Sequence, residues 1–319
     1  GLGDWYKRQC FNAGLLSGYT SAVENKSDGF QVITFTAAND QFEVVKQYIV
    51  SENSYEIPMS ITVNNLSGTA ISVPVTVSIG PGLGEGFDEQ RYVFTGPIIG
   101  NKKEYEKKAA EKLKNPILLS NPQWGGYTSK YFLFSLVSNS FERGEIVKSG
   151  SSAVTQFMTT LTVPASGSGS ISDSSLFVGP KHYNSLRAYD IGMQKSIDYG
   201  MFFFLGIPMA KVMNFFYKFV HNYGIAIIIL TIIVKIITLP LTLKSMKSMK
   251  AISAMQPEMV KIREKYKDDP QRMNAATMEL YKKHGANPMS GCLPMLIQLP
   301  IFVALYKALL VSIELKGAP

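Results

Sequence analysis

The sequence predicts an α+β membrane protein, an extracytoplasmic β-sandwich followed by an α-helical transmembrane region with a cytoplasmic helical hairpin. Three observations predict it. Residues 1–185 carry short runs rich in Val, Ile, Thr, Tyr and Phe separated by turn residues, the spacing of a sandwich. Residues 224–243, GIAIIILTIIVKIITLPLTL, hold eight Ile, four Leu and one Val. At helical rise that run covers about 30 Å, the thickness of a bilayer's hydrocarbon core. The charge is also split: residues 1–210 hold 17 Lys/Arg and 18 Asp/Glu, net −1, whereas 211–319 hold 15 and 6, net +9, and the whole chain carries +8. The basicity belongs to the membrane half, where it favours anionic lipid, ribosome or nucleic-acid neighbours, and it argues against a basic nucleic-acid-binding soluble domain.

In the first domain, 1–185, strands are expected at 30–35 (FQVITF), 42–50 (FEVVKQYIV), 55–63 (YEIPMSITV), 71–79 (ISVPVTVSI), 131–137 (YFLFSLV) and about 158–163. Asn64-Asn65-Leu66-Ser67-Gly68 reads as a hairpin turn. Residues 101–115, NKKEYEKKAAEKLKN, are helix-prone and highly charged, which predicts a solvated helix on the sandwich. The Ser/Gly-rich run 165–175, ASGSGSISDSS, reads as a flexible loop. His182 stands near the domain's end, and the sequence shows no Gly-rich phosphate loop, nucleophile elbow or metal-ligand spacing. Glu85, Asp88 and Glu89 read as a solvated loop in preference to a carbohydrate site.

The character changes over 186–223, a linker and an amphipathic segment. After MFFFLGI and Pro208, the residues Met209, Val212, Met213, Phe216, Phe219 and Val220 recur on one side, with Lys211, Asn214 and Lys218 elsewhere. That is the pattern of a helix lying in the membrane interface. The span at 224–243 carries one charge, Lys235. Its aliphatics favour insertion by roughly 4–8 kcal/mol against a cost of about 2.5–3.5 kcal/mol for the lysine, so the span inserts. Thr231, Lys235, Thr238 and Thr242 fall on one helical face. Two readings of this stripe stand side by side. Either the hydroxyls bond their own helix and the lysine snorkels, or the stripe faces a bundle interior or a wet cavity.

Residues 244–288 hold ten Lys/Arg against five Asp/Glu, so the positive-inside rule places this loop in the cytoplasm and the β domain on the other side. Ile252, Met255, Met259, Ile262 and Tyr266 step by three and four, and Met273, Ala276 and Leu280 supply a facing seam after Asp268-Asp269-Pro270. This predicts a helical hairpin. Its methionines either fill the hairpin core or offer a pliable apolar surface. A second span is expected over 289–313, with Gly291, Met295 and Gln298 on one face and Lys307 snorkelling to the outer interface. Cys10 and Cys292 fall on opposite sides of, or within, the membrane in this topology and are not expected to pair. The chain starts at Gly1 without a signal peptide although its first domain needs export, which predicts a chain lacking its native N-terminus.

The runs LFVGP, IDYG, NYGIAIIILTIIVKIITLPLT, Met255-Gln256-Pro257, DDPQRM, ELYKKHGANPMSGCLPMLIQLPIFVALY and IELKGAP stand in the order found in the YidC/Oxa/Alb insertase family, which the chain resembles densely from Val178 onward. The resemblance of the β domain rests on position and strand pattern. It implies a periplasmic, super-sandwich-like domain and an inner-membrane helical core enclosing a hydrophilic groove open to cytoplasm and lipid. Thr231, Lys235 and Gln298 match polar groove positions. Lys235 stands where the family more commonly has Arg, which keeps the charge but loses the planar five-donor fork. The hairpin, through Met255, Met259, Lys261, Arg263, Arg272 and Met273, would receive nascent membrane proteins and meet ribosome or anionic lipid, beside the Sec translocon. The resemblance further implies an anchor helix before Gly1 and three core helices after Pro319. No cofactor, no bond-making chemistry and no direct nucleic-acid specificity are implied.

Two other classes compete. A membrane-anchored carbohydrate-binding or mutarotase-like sandwich would want a His and carboxylate pair in a concave sheet, which one histidine near the domain's end argues against. A channel or transporter subunit would show inverted repeats, and the two spans are not visibly related.

Overall fold

A computed structural model describes residues 18–26, 29–82, 93–267, 269–284 and 293–316. Cys10, Glu85, Asp88, Glu89, Gly291 and Cys292 lie outside them. The chain divides into two units, Gly1–Asp198 and Tyr199–Pro319.

The first unit is an antiparallel sandwich. Its strands are β1 (Thr20–Asn25), β2 (Phe30–Ala38), β3 (Phe42–Ser51), β4 (Glu56–Asn65), β5 (Ile71–Ile79), β6 (Gly96–Gly100), β7 (Tyr105–Lys107), β8 (Ile117–Ser120), β9 (Trp124–Thr128), β10 (Phe132–Val137), β11 (Arg143–Ser149), β12 (Ser152–Val163) and β13 (Ser168–Pro180). Nine form one sheet in the order β1-β2-β3-β4-β13-β10-β9-β6-β7, and β5-β12-β11-β8 form the other. Period-two alternation sets which faces meet. Val44, Tyr48, Ile61 and Val63 of the large sheet and Val75, Val77, Ile79 and Phe157 of the small one are buried in one cluster. Phe141 meets Phe157 edge-on with ring centroids 5.7 Å apart.

Three sequence expectations are overturned here. Residues 101–115 do not form a helix: a turn follows Gly100, β7 pairs back onto β6 with Gly100 opposite Tyr105, and only Ala110–Lys112 makes a 3-10 turn. The propensity was local, and the only apolar row along a 101–115 helix, Tyr105, Ala109 and Leu113, offers little surface to hold it on the sandwich. Burial of Leu113 in the core and ladder bonds to β6 outweigh a few tenths of a kcal/mol per residue of helix preference.

The Ser/Gly run 165–175 is no loop beyond its first residues. From Ser168 it is β13, central in the large sheet between β4 and β10. Its polarity is absorbed locally, because Ser174 Oγ donates to Ser138 Oγ and Ser175 Oγ donates to Glu56 Oε1, while Ile171 enters the core. A register shift between Ile171 and Ser174 marks a bulge at Ser172-Asp173.

Residues 64–68 do not close a hairpin. β4 and β5 belong to different sheets, so this turn carries the chain across the sandwich. Asn65 pins the crossing: its buried amide donates to Thr69 O at 2.7 Å and Pro164 O at 2.9 Å and accepts from Ser67 N at 2.9 Å. Asn65→Ala leaves those buried groups unpaired, and a stability loss of about 2 kcal/mol is expected, read as a lower urea midpoint of tryptophan fluorescence.

A short helix α1 (Tyr183–Ala188) closes the sandwich, with Tyr189 donating to Glu56 Oε2 at 2.9 Å. The second unit is helical: α2 (Phe203–Val220), α3 (Tyr223–Ala254), α4 (Gln256–Lys265), α5 (Pro270–Lys283) and α6 (Leu293–Val311). By length and apolar composition α2 and α3 are sufficient to cross a membrane, and Met295–Val311 is a shorter apolar helix.

Candidate functional site: a polar helix face and a basic hairpin

Helix α3 starts where Asn222 caps it, the side chain accepting from Ile225 N at 3.1 Å, directly after His221 turns the chain with φ 50°. Its first turns are held by small and apolar residues. Ala226 and Leu230 are buried with Met209 and Met213 of α2 and Ala304 of α6, and Tyr217 stacks on Tyr223 at 3.9 Å. The packing fixes which way α3 turns its other faces.

Thr231, Lys235, Thr238 and Thr242 lie along one such face. The threonine protons are spent on the helix itself: Thr231 Oγ1 donates to Ile228 O at 2.7 Å, Thr238 Oγ1 to Val234 O at 3.0 Å and Thr242 Oγ1 to Thr238 O at 3.1 Å. What remains outward is a row of hydroxyl lone pairs around one ammonium. Lys235 is exposed and Thr238 and Thr242 are half-buried. Ile232, Ile236 and Ile237 away from this row are exposed and apolar, as lipid-facing side chains are, and the exposed Ile228 continues the row itself toward the helix start. On α6, Gln298 is half-buried among exposed Leu296, Ile297 and Leu299.

Helix α3 runs on past residue 243 to Ala254, carrying Lys244, Lys247 and Lys250 on the same rod before α4 begins at Gln256. α4 and α5 pack through the stepped seam. Met255 and Leu280 are buried, and Ile252, Met259, Ile262, Tyr266, Met273 and Ala276 are half-buried. Tyr281 Oη donates to Met259 Sδ at 3.6 Å, and His284 Nε2 lies 3.7 Å from Glu258 Oε2 across the pair. Asp269 caps α5 by accepting from Arg272 N at 3.0 Å and pairs with the Arg272 guanidinium at 3.3 Å. Lys261, Arg263 and Arg272 are exposed. The methionines singled out by spacing thus sit in the seam, whereas the exposed ones are Met246, Met249 and Met278. Their positions off the three-four register are the signal for that difference.

Among the described residues, no group of three or more His, Cys, Asp or Glu is placed to hold a metal ion. A β-sandwich followed by helices long and apolar enough to cross a membrane, one of which carries a charged polar face, is the pattern of a membrane protein with an attached sandwich domain.

Residues 17–212 match the family described as "YidC periplasmic domain" and residues 215–319 the one described as "60Kd inner membrane protein". The chain belongs to the YidC family of inner-membrane proteins. It is 39% identical over 287 residues to the membrane protein insertase YidC of Syntrophus aciditrophicus, covering 88% of this chain and 52% of that protein. It is 43% identical over 238 residues to that of Geobacter metallireducens, covering 72% and 44%. The chain therefore spans about half the length of the curated relatives it matches. Those relatives are named as insertases, which are not enzymes, and the carbohydrate-processing alternative is not favoured. A galactose mutarotase-like protein from Lactobacillus casei shares 11% identity and a TM-score of 0.35, over 51% of this chain and 73% of its own.

Proposed function

We propose that this chain is the recognition half of an insertase, in which the α3 face lines a hydrophilic, positively charged intramembrane groove. The observation that supports it is Lys235, an exposed ammonium in an apolar helix whose neighbouring hydroxyls are already bonded to their own backbone. A fixed positive charge with acceptors beside it lowers the cost of bringing a polar or acidic segment into the bilayer, and low surrounding polarity strengthens the attraction. The apolar part of the same substrate leaves along the exposed isoleucines into lipid. Gln298 on α6 contributes a second polar wall. The hairpin α4–α5, with Lys261, Arg263 and Arg272 outward, receives the nascent chain on the cytoplasmic side and meets the ribosome, while the sandwich stands in the periplasm beside the Sec translocon. The seam residues Met255, Met259 and Met273 hold the hairpin's shape.

The test is insertion, by the natural protein in proteoliposomes, of a small substrate with an acidic extracytoplasmic tail. Lys235→Arg is expected to keep the rate and Lys235→Ala to lose about tenfold, with Lys235→Glu lower still, corresponding to about 1.4 kcal/mol or more. Equal rates for all three would remove the charge from the mechanism.

A further inference from the structure

The helix-prone segment that folds instead as a turn, β7 and a 3-10 turn carries a charge the rest of its unit lacks. Residues 101–115 hold six Lys and three Glu, net +3, whereas the remainder of residues 1–198 holds 11 Lys/Arg and 15 Asp/Glu, net −4. Lys102, Lys103, Lys108, Lys112 and Lys114 are exposed, and Tyr105 stands among them 38% exposed. Lysines around a half-exposed tyrosine are the side chains that settle at a membrane's headgroup level.

The backbone beneath Lys102 and Lys103 is fixed. Asn101 Oδ1 accepts from Lys103 N at 2.9 Å and Glu104 N at 3.0 Å, and Gln123 Oε1 accepts from Lys102 N at 2.9 Å. From the linker, Lys195 Nζ donates to Lys102 O at 3.0 Å and Lys103 O at 2.9 Å. A Cβ on Gly192 would come within 2.8 Å of Asn101 O, so linker and turn are in close contact. Lys102 and Lys107 are ion-paired with Asp190 and Asp198 of the same linker, the second pair at 3.3 Å. Asp198 is three residues before Met201, which with Phe203 and Phe204 is largely exposed and apolar. The basic segment is thus tied, through Lys102 and Lys107, to the linker that leads the chain into its helical unit.

We propose that residues 101–114 form an anionic-lipid-binding edge of the sandwich, with Lys103, Lys108 and Lys112 engaging headgroups and Tyr105 settling among them. A platform whose backbone is held loses little conformational freedom when its lysines find phosphates, and the unit's other residues, net −4 in the sequence, favour no second contact with the same bilayer. The edge therefore selects one face of an otherwise acidic domain. The inference rests on the chain's membership of an inner-membrane family and not on the groove, so its failure leaves insertion untouched.

The test is hydrogen exchange of the whole chain in nanodiscs, comparing phosphatidylcholine alone with phosphatidylcholine containing phosphatidylglycerol. Amides of 102–114 are expected to exchange about fivefold more slowly in the anionic bilayer, with that slowing lost at about 0.5 M salt and in Lys103→Glu/Lys108→Glu/Lys112→Glu. The β5–β12 ladder reports whether the triple variant folds. If it does not, the salt dependence of the unaltered chain decides. Equal exchange in the two bilayers, slowing that survives salt or the triple substitution, or the same slowing from inorganic phosphate in the zwitterionic bilayer each overturns the proposal.

Discussion

Gly126→Ala is expected to lose about 3 kcal/mol or more of the sandwich's stability, among the largest losses a single methyl group can cause. Gly126 sits mid-strand in β9, opposite Ser135 of β10 and Ile98 of β6. A Cβ there would lie 2.1 Å from Phe134 O and 3.0 Å from Ser135 Cα, backbone atoms of the paired strand. No rotamer relieves that clash, so β9 and β10 must part. Parting also breaks the tie between the sheets, because Thr155 Oγ1 of β12 donates to Gly126 O at 2.7 Å. Trp124, fully buried two residues earlier on β9, reports the change. The urea midpoint of its fluorescence should fall sharply in Gly126→Ala. Gly68→Ala, where a Cβ meets nothing within 4 Å, should stay within about 0.5 kcal/mol of the parent. Equal midpoints for the two variants would contradict the close approach.

The same region shows what the sequence made legible. β4 and β5 were readable because Ile, Met and Val fall at every second position and those positions are buried, β3 nearly so with Lys46 in the buried row, while β2 was readable from its β-branched and aromatic content and not from alternation. β9 is WGGYT and the first half of β13 is Ser and Gly. Those strands are made by their neighbours: glycine permits the approach of two backbones, and serine hydroxyls find partners across strands. Neither condition is visible before the topology is known. The helix-prone 101–115 failed for the converse reason, since strong local preference yields when one leucine and one ladder tie the segment to a core. In the candidate site, the α3 face and the hairpin seam needed only helical periodicity and were legible residue by residue. That the three threonines turn their protons onto their own helix belonged to the less favoured of the two readings in the sequence, and their rotamers show it.

Lys181 carries the second large effect, and it is one that pH reverses. It follows β13 with its side chain 2% exposed, and its ammonium donates to Thr128 Oγ1 at 3.2 Å, to Ser129 O and to Ser196 O at 3.2 Å. It thereby ties the end of β13 to the β9–β10 turn and to the last residue of the linker's 3-10 helix, Met193–Ser196. Burial pushes its pKa down to about 7, against the attraction of Asp198 and with the repulsion of Lys107, the two charged groups that face it. In the unfolded chain the group holds its proton until pH is near 10. Below pH 7 both states are charged and the link gives no pH dependence. Between about 7 and 10 the unfolded state binds more protons, so stability rises with pH by up to about 1.4 kcal/mol per unit. Lys181→Met removes that slope and takes away the two N–H groups that the neutral amine offers the surrounding buried oxygens, a loss of about 3 kcal/mol at pH 8.5. At pH 6 the parent carries a buried charge that methionine does not, so the gap between the two should narrow. Urea midpoints of tryptophan fluorescence at both pH values test this. A gap that is constant or widens toward acid would show that the lysine is held as a fully satisfied cation, its three oxygens outweighing the cost of burial.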